Sequence, residues 1–361
     1  MTTPSAGALD RAVAAFRQAH GRSPSLVARD PGRVNLMGDH VDYLGGTVLP
    51  MAIHLGTTIT GEPGGPQVVL ESGLEADPVQ VGLDVADPAA VTPDWGRYVA
   101  GVVAEMGPAA GFTGTVTSDL PVGAGLSSSA ALEIAVALAL GFDGTPTELA
   151  LLTQRAEQRA SGVPSGVMDQ LCIAAADEGS ALLIDCGTLE HGPVPLPEDL
   201  DVVVIDSGQQ RTLDGSGYAT RRREVEAALR GLDDGPVVGW LDRIDPAEAE
   251  AIGDPIARRR ARHALSEHRR TAAFAAALAA DDRAALGEII AASHRSLRDD
   301  YEVSTPTVDE LVERIGAVDG VWGCRMTGGG FGGCVVALSE PGVLSEGWRV
   351  RPAPGAAVLG S

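Results

Sequence analysis

Residues 31–43, Pro-Gly-Arg-Val-Asn-Leu-Met-Gly-Asp-His-Val-Asp-Tyr, gather Arg33, Asp39, His40 and Asp42 beside an apolar stretch. Any one of them alone suits a polar surface turn. Together, two carboxylates, an imidazole and a guanidinium can hold a polyhydroxylated ligand through charge-assisted hydrogen bonds. A second segment, PVGAGLSSSAALE at 121–133, sets glycines and three serines ahead of an apolar helix. A helix N-terminus offers unpaired amides and a partial positive charge, which suits phosphates. The third, AEQRASGVPSGVMDQ at 156–170, carries Glu157 on a helix. Its Asp169 follows a turn bracketed by Gly162 and Gly166, among Val167, Met168 and Leu171, where partial burial would make the carboxylate a base.

The elements that position these groups are mixed α and β. Val34–Met37 and Thr47–Pro50 form strands around a polar turn, and 114–117 forms another. A helix is expected from Ser127 through Leu138. A second follows Thr145-Pro146-Thr147-Glu148, a threonine N-cap with proline at the first helical position and glutamate three residues on; it runs to about Ala160 and stops at Gly162. Residues 181–184 and 202–205 are apolar runs of buried-strand type. Arginine- and alanine-rich helices are expected at roughly 218–232 and 255–297, and a second domain from about residue 176. Arg258, Arg259, Arg260, Arg262, Arg269 and Arg270 are expected to line a solvated helix face. Near the end, Cys324–Met326, the glycine loop 327–333 and Cys334–Leu338 predict strand, loop, strand.

The 361 residues suffice for about two domains. A formal charge of −22 disfavours nucleic acid or an anionic membrane as partner. The chain has no lysine, which excludes a Walker-type phosphate loop, a protein-kinase lysine and a Schiff-base lysine. Four cysteines with no CxxC pair suit reduced thiols in a cytoplasmic protein. No secretory leader pattern is visible and no apolar run approaches a membrane span.

The ordered set of these segments, with the glycine loop at 327–333, resembles the GHMP kinase superfamily and, within it, the galactokinase family. GLSSSAALE, GVPSGVMDQ and RMTGGGFGGC look like that family's forms of the shared motifs, and RTLDGSGY at 211–218 resembles a sugar-side segment. The resemblance implies an α+β, two-domain GHMP kinase fold. Residues 1–175 would form a domain of ribosomal-protein-S5-like type and 176–361 one with ferredoxin-like elements, with the active site in the cleft between them. It implies ATP-dependent phosphorylation of a sugar's anomeric hydroxyl by a monomer using Mg²⁺.

By the same resemblance Asp169 is the base, Arg33 stabilises charge near the transferred phosphoryl group, and Ser129 and Glu157 hold the metal. Gly123, Ala124, Gly125, Leu126, Ser127, Ser128 and Ser129 would cradle the phosphates, and Trp95 with Tyr98 would flank adenine. Asp39, His40, Asp42, Gly166 and Tyr218 match sugar-contacting positions, and Gly328, Gly329 and Gly330 would shape the wall between the substrates. The chain departs from the family at Asp39 (usually glutamate), Val41 (threonine), Leu44-Gly45-Gly46 (an asparagine) and Ser165 (often cysteine). A carboxylate one methylene short can leave a ligand hydroxyl unpaired, at a cost of about 1–3 kcal/mol. N-acetylgalactosamine, arabinose, another aldose or a cyclitol are therefore alternative acceptors to galactose; a non-sugar alcohol such as mevalonate is a separate alternative, against which Asp39 and Asp42 speak. A catalytically silent sugar sensor is the non-enzyme alternative, and the intact Ser129-Ala130-Ala131 speaks against it.

Overall fold

The computed structural model describes residues 6–121, 123–209 and 216–359. Val122, and residues 211–215 of the RTLDGSGY segment, lie outside the described residues.

Two sheets carry the chain. The first is built from β1 (Leu26–Met37), β2 (Thr47–Pro63), β3 (Gln67–Ser72), β4 (Val79–Gly82) and β5 (Phe112–Ser118), with β6 (Ser180–Asp185), β7 (His191–Pro195) and the last strand, which returns to it. The second holds β8 (Asp201–Asp206), β9 (Val321–Met326), β10 (Cys334–Ser339) and β11 (Trp348–Val350), in the order β11-β8-β10-β9. The last strand, β12 (Ala357–Leu359), closes the edge of the first sheet, whose main order is β12-β1-β2-β5-β3-β4. The hairpin of β6 and β7 pairs with the start of β2 through Thr47 and Val48. Pairing therefore passes from the first sheet to the second between Pro195 and Asp201, beyond the division expected at 175, and crosses back at the end of the chain. The cause is long-range register, which no local pattern carries.

Eleven helices lie among the described residues: α1 (Ala6–His20), α2 (Gly96–Met106), α3 (Ser128–Ala139), α4 (Pro146–Ser161), α5 (Met168–Ala175), α6 (Ser216–Arg230), α7 (Trp240–Arg243), α8 (Pro246–Glu250), α9 (Pro255–Ala279), α10 (Arg283–Asp299) and α11 (Pro306–Gly316). The cap of α4 is as the sequence predicts: the Thr145 amide donates to Glu148 at 2.8 Å, the Glu148 amide donates to the Thr145 hydroxyl at 3.2 Å, and Gly162 ends the helix at φ 71°. Such a cap contributes about 1 kcal/mol. Helix α3 is buried nearly all round, from Ala130 to Ala137, and packs on β1 and β2. In the second sheet the apolar runs of β8 and β10 are buried on both faces, which fits their unbroken valine-rich sequence. Each such side chain contributes about 1.5–3 kcal/mol by leaving water.

The single helix expected at 255–297 is two helices. Asp281 takes a left-handed φ of 54°, and the Asp282 carboxylate caps the next helix by accepting from the Ala285 amide at 3.0 Å. Helix α9 packs against β1, β2 and β7 of the first sheet and against α6 and α10, so it joins the two halves. The expected solvated arginine face is also corrected. Arg260 is buried, donating to Glu224 at 2.7 Å and Glu302 at 2.6 Å, because the neighbours of α9 bring carboxylates to it.

Candidate active site

The centre of the site is an ion pair between β1 and α5. Arg33 donates from Nε to Asp169 Oδ1 at 2.7 Å and from Nη2 to Oδ2 at 2.6 Å, while its Nη1 donates to the Gly125 carbonyl at 2.7 Å. The arginine side chain is 8% exposed and the aspartate 27%, so the carboxylate faces an opening while the guanidinium is walled in. Asp169 lies in the first turn of α5, where the helix dipole favours a negative charge. The Ser127 hydroxyl also donates to Asp169 Oδ2.

That contact brings the serine loop to the carboxylate. Gly123, Gly125 and Ser127 all have positive φ, at 76°, 69° and 59°, which coils the loop ahead of α3. Ser127 caps α3 without using its side chain on the helix, so the first-turn amides are left for a ligand. Gly32 allows the loop to approach β1: a Cβ there would lie 2.7 Å from the Leu126 carbonyl. Ala124 lies in the same loop, and Ser128 is the first residue of α3.

Behind the loop, the Ser129 hydroxyl donates to Glu157 Oε1 at 3.0 Å, and Ser165 and Gln170 donate to Oε2 at 3.0 and 2.8 Å. Burial, reinforced by the Asp169 charge, raises the Glu157 pKa above the usual carboxylate range. Glu133 is fully buried nearby, and burial together with the Glu157 charge pushes its carboxyl well upward. A hydroxyl and a carboxylate oxygen in contact form a hard donor pair that fits Mg²⁺, provided that a nucleotide and water supply the other ligands. Tyr98 belongs to this region: burial and the charges of Glu157 and Glu133 raise its pKa. The Trp95 indole donates to the Asp77 carbonyl at 3.3 Å.

Near Asp169 lies the turn between β1 and β2, residues 38–46, here the signature turn. Gly166 lies against Asp42, and a Cβ there would be 1.9 Å from Asp42 Oδ2. Burial, then repulsion from Asp169, raises the Asp42 pKa to about 6. His40, in a left-handed conformation at φ 65°, has Nδ1 3.1 Å from the Tyr43 hydroxyl and its ring 5.4 Å from that of Tyr218. Tyr218 stands beside Gly329, and its phenol pKa is pushed up by burial and by Asp42. His40, Asp42, Gly166 and Tyr218 thus converge next to Asp169.

Asp39 does not join them. It is 2% exposed, and its oxygens accept from Arg325 Nη2 and, at 2.9 Å, from the Gly328 amide. Arg325 also donates to the Leu36 carbonyl at 3.0 Å, and the Thr327 hydroxyl donates to the Asn35 carbonyl at 2.8 Å. Asp39 therefore ties the signature turn to the glycine loop instead of facing the pocket. Burial draws the Arg325 pKa down to about 9, still high enough to keep the guanidinium charged at neutral pH. Sequence reasoning missed Arg325, Gln170 and Tyr43. Arg325 lies two residues before the glycine loop and Gln170 directly follows Asp169, so proximity to a motif was the available signal.

Three family models match the chain: the galactokinase galactose-binding signature over residues 14–63, the GHMP kinases N terminal domain over 97–176 and the GHMP kinases C terminal over 274–348. Galactokinase of Homo sapiens is 42% identical over 358 residues, covering 94% of this chain and 90% of the relative. Galactokinase of Chloroflexus aurantiacus is 41% identical over 347 residues, covering 91% and 88%. The crystal structure of Lactococcus lactis galactokinase complexed with galactose superposes with a TM-score of 0.89 at 31% identity, covering 97% of this chain and 100% of that one. A mevalonate kinase of Methanococcus jannaschii, at 19% identity and a TM-score of 0.63 over 89% of this chain and 93% of that one, shares the fold.

Proposed function

The chain belongs to the galactokinase family of GHMP kinases, and we propose from that premise how its residues phosphorylate the anomeric hydroxyl of galactose with ATP. The anomeric oxygen attacks the γ-phosphorus, the bond from that phosphorus to the β–γ bridging oxygen breaks, and ADP leaves. The hydroxyl proton passes to Asp169. A loose transition state asks for little deprotonation early, so a carboxylate suffices. Arg33 fixes the carboxylate through two parallel bonds and places positive charge beside the transferring group. Gly123 to Ser129 receive the phosphates on main-chain amides at the start of α3, in keeping with the absence of lysine. Ser129 and Glu157 would hold Mg²⁺, which offsets phosphate charge when bound.

Asp42, His40, Gly166 and Tyr218 hold the sugar, and Trp95 with Tyr98 flanks adenine. Asp39 acts as a tie within the protein. The first structural unit comprises the sheet of β1 to β7 with β12, and the second the sheet of β8 to β11. Every group of the site comes from one chain, so a monomer suffices. No helix among the described residues is long and apolar enough to cross a membrane, and the acidic chain acts in the cytoplasm on small molecules without nucleic acid.

The observation that carries this reading is the Arg33–Asp169 pair lying between the serine loop and the signature turn. Incubation with galactose, ATP and Mg²⁺ yields galactose 1-phosphate, and Asp169→Asn lowers kcat by about 10²–10⁴-fold. Full turnover in that variant removes Asp169 from catalysis. Turnover of N-acetylgalactosamine, arabinose or a cyclitol in place of galactose changes the acceptor and keeps the reaction.

A further inference from the structure

After β11 the chain does not end at the second sheet. It crosses to the first along the rear of the Arg33–Asp169 pair. The His54 amide donates to the Arg351 carbonyl at 3.0 Å, Pro352 bridges to Ile53, and the Ala353 amide donates to the Ala52 carbonyl at 3.0 Å. Ala52 is the register partner of Arg33 on the neighbouring strand. Two residues on, the Gly355 amide donates to the Ala176 carbonyl and the Ala356 amide to the Ile173 carbonyl, both at 2.8 Å. These carbonyls belong to the C-terminal end of α5, the helix whose first turn holds Asp169. The strap then pairs Ala357, Val358 and Leu359 with Arg29, Ala28 and Val27 of β1.

Helix α5 has eight residues, two turns, and a helix that short does not hold its own orientation. The last carbonyls of any helix need partners, and here the strap supplies them. The fit is close: a Cβ on Gly355 would lie 2.8 Å from the Ala174 carbonyl oxygen and 3.1 Å from that of Ile173. Moreover, the strap leaves directly from an edge strand of the second sheet. It therefore links that sheet to both members of the pair, to Arg33 through β2 and to Asp169 through α5.

We infer that residues 351–359 are a positioning element for phosphoryl transfer, setting the aim of Asp169 through the C-terminal end of α5. The inference rests on the reading of Asp169 given above. Groups that act in phosphoryl transfer are sensitive to displacement, since a shift of about 1 Å can cost about a hundredfold in rate. Among the described residues the strap's backbone hydrogen bonds go to β2, α5 and β1 and not to residues 123–129 or 38–46, so its effect should fall on kcat more than on the binding of either substrate.

The test uses a chain ended after Val350, with the synthetic peptide Arg351–Leu359 added back, and the full chain carrying Gly355→Val. Steady-state kinetics are read together with amide hydrogen exchange in α5 and α3. The expected result is a kcat at least about tenfold lower, KM values within about twofold of the parent, faster exchange in α5 than in α3, and recovery of kcat on adding the peptide. Parental kcat in a folded truncated chain overturns the proposal, as does a loss that only tracks the unfolded fraction. If the truncated chain does not fold, Gly355→Val decides: parental kcat with α5 exchange accelerated overturns it, and lowered kcat with unchanged KM supports it. Failure of the underlying reading shows separately, as full turnover by Asp169→Asn.

Discussion

Arg33 and Asp169 stand 136 positions apart in the chain and meet through two parallel hydrogen bonds of 2.7 and 2.6 Å. The planar fork of the guanidinium matches the carboxylate, and its remaining Nη1 reaches the Gly125 carbonyl at 2.7 Å. One side chain thereby registers the base, the phosphate loop and β1 against one another. A lysine carries the same charge but not this fork. Arg33→Lys should fold and should lose on the order of 2 kcal/mol of transition-state stabilisation, about thirtyfold in kcat/KM. Parental kcat/KM would show that charge alone is sufficient there.

Glu157 offers a pH-dependent readout. A metal takes the ionised carboxylate, and burial with the nearby Asp169 charge makes this group release its proton at a higher pH than an ordinary glutamate. As pH falls, the Mg²⁺ concentration giving half-maximal turnover should rise earlier than free-carboxylate titration predicts. Glu157→Gln should need at least about tenfold more Mg²⁺ at every pH and lose that dependence. A flat Mg²⁺ requirement in the parent between pH 5 and pH 8 would argue against Glu157 as a ligand.

Asp42 links pH to stability. Its pKa rises from 3.8 to about 6 on folding, so the native state binds this proton more tightly than the unfolded chain. The resulting contribution is fully present below about pH 4 and is lost as pH rises through about 6. Above that, a buried anion faces Asp169. Asp42→Asn should leave stability unchanged near pH 4 and raise it by about 2 kcal/mol at pH 7.5, after allowance for the residual solvent contact of the group. Urea denaturation at the two pH values measures the difference, and equal effects at both would contradict the assignment.

Asp39→Ala should be destabilising in a way that a surface acid is not. It would leave the buried Arg325 only the more distant Glu267 carboxylate, 3.8 Å away, a loss of about 3 kcal/mol. Thermal denaturation reads this directly. If Asp39 instead faced the sugar, its loss would raise the sugar KM while the melting temperature stayed near that of the parent.

Much of the site was legible because its chemistry is local. Ser129 sits at the start of a helix, Glu157 on a helix marked by a threonine cap and a proline, and Asp169 after a glycine-bracketed turn. Each needs only a few neighbours to be recognised. The buried ion pairs were not legible. Nothing adjacent to Arg260 distinguishes it from the half-buried arginines around it, and Arg325 shows only its nearness to the glycine loop, since their partners Glu224, Glu302 and Asp39 come from other elements. The break at Asp281 was obscured because alanine-rich sequence continues on both sides of it. The pairing of β6 with Thr47 and Val48, and the return of the last strand to β1, depend on register between distant segments, which a single sequence does not display.

That return governs how the molecule comes apart. The first sheet is assembled from chain that leaves after Pro195 and comes back only from Arg351 onward, with the whole of the second sheet spelled out in the interval. A protease cut in the 196–200 connection would sever the polypeptide without freeing an intact half, because the C-terminal fragment still owns one border of its neighbour. Denaturation should accordingly be a single concerted transition, and an excised N-terminal half should expose the raw edge of β1 and self-associate.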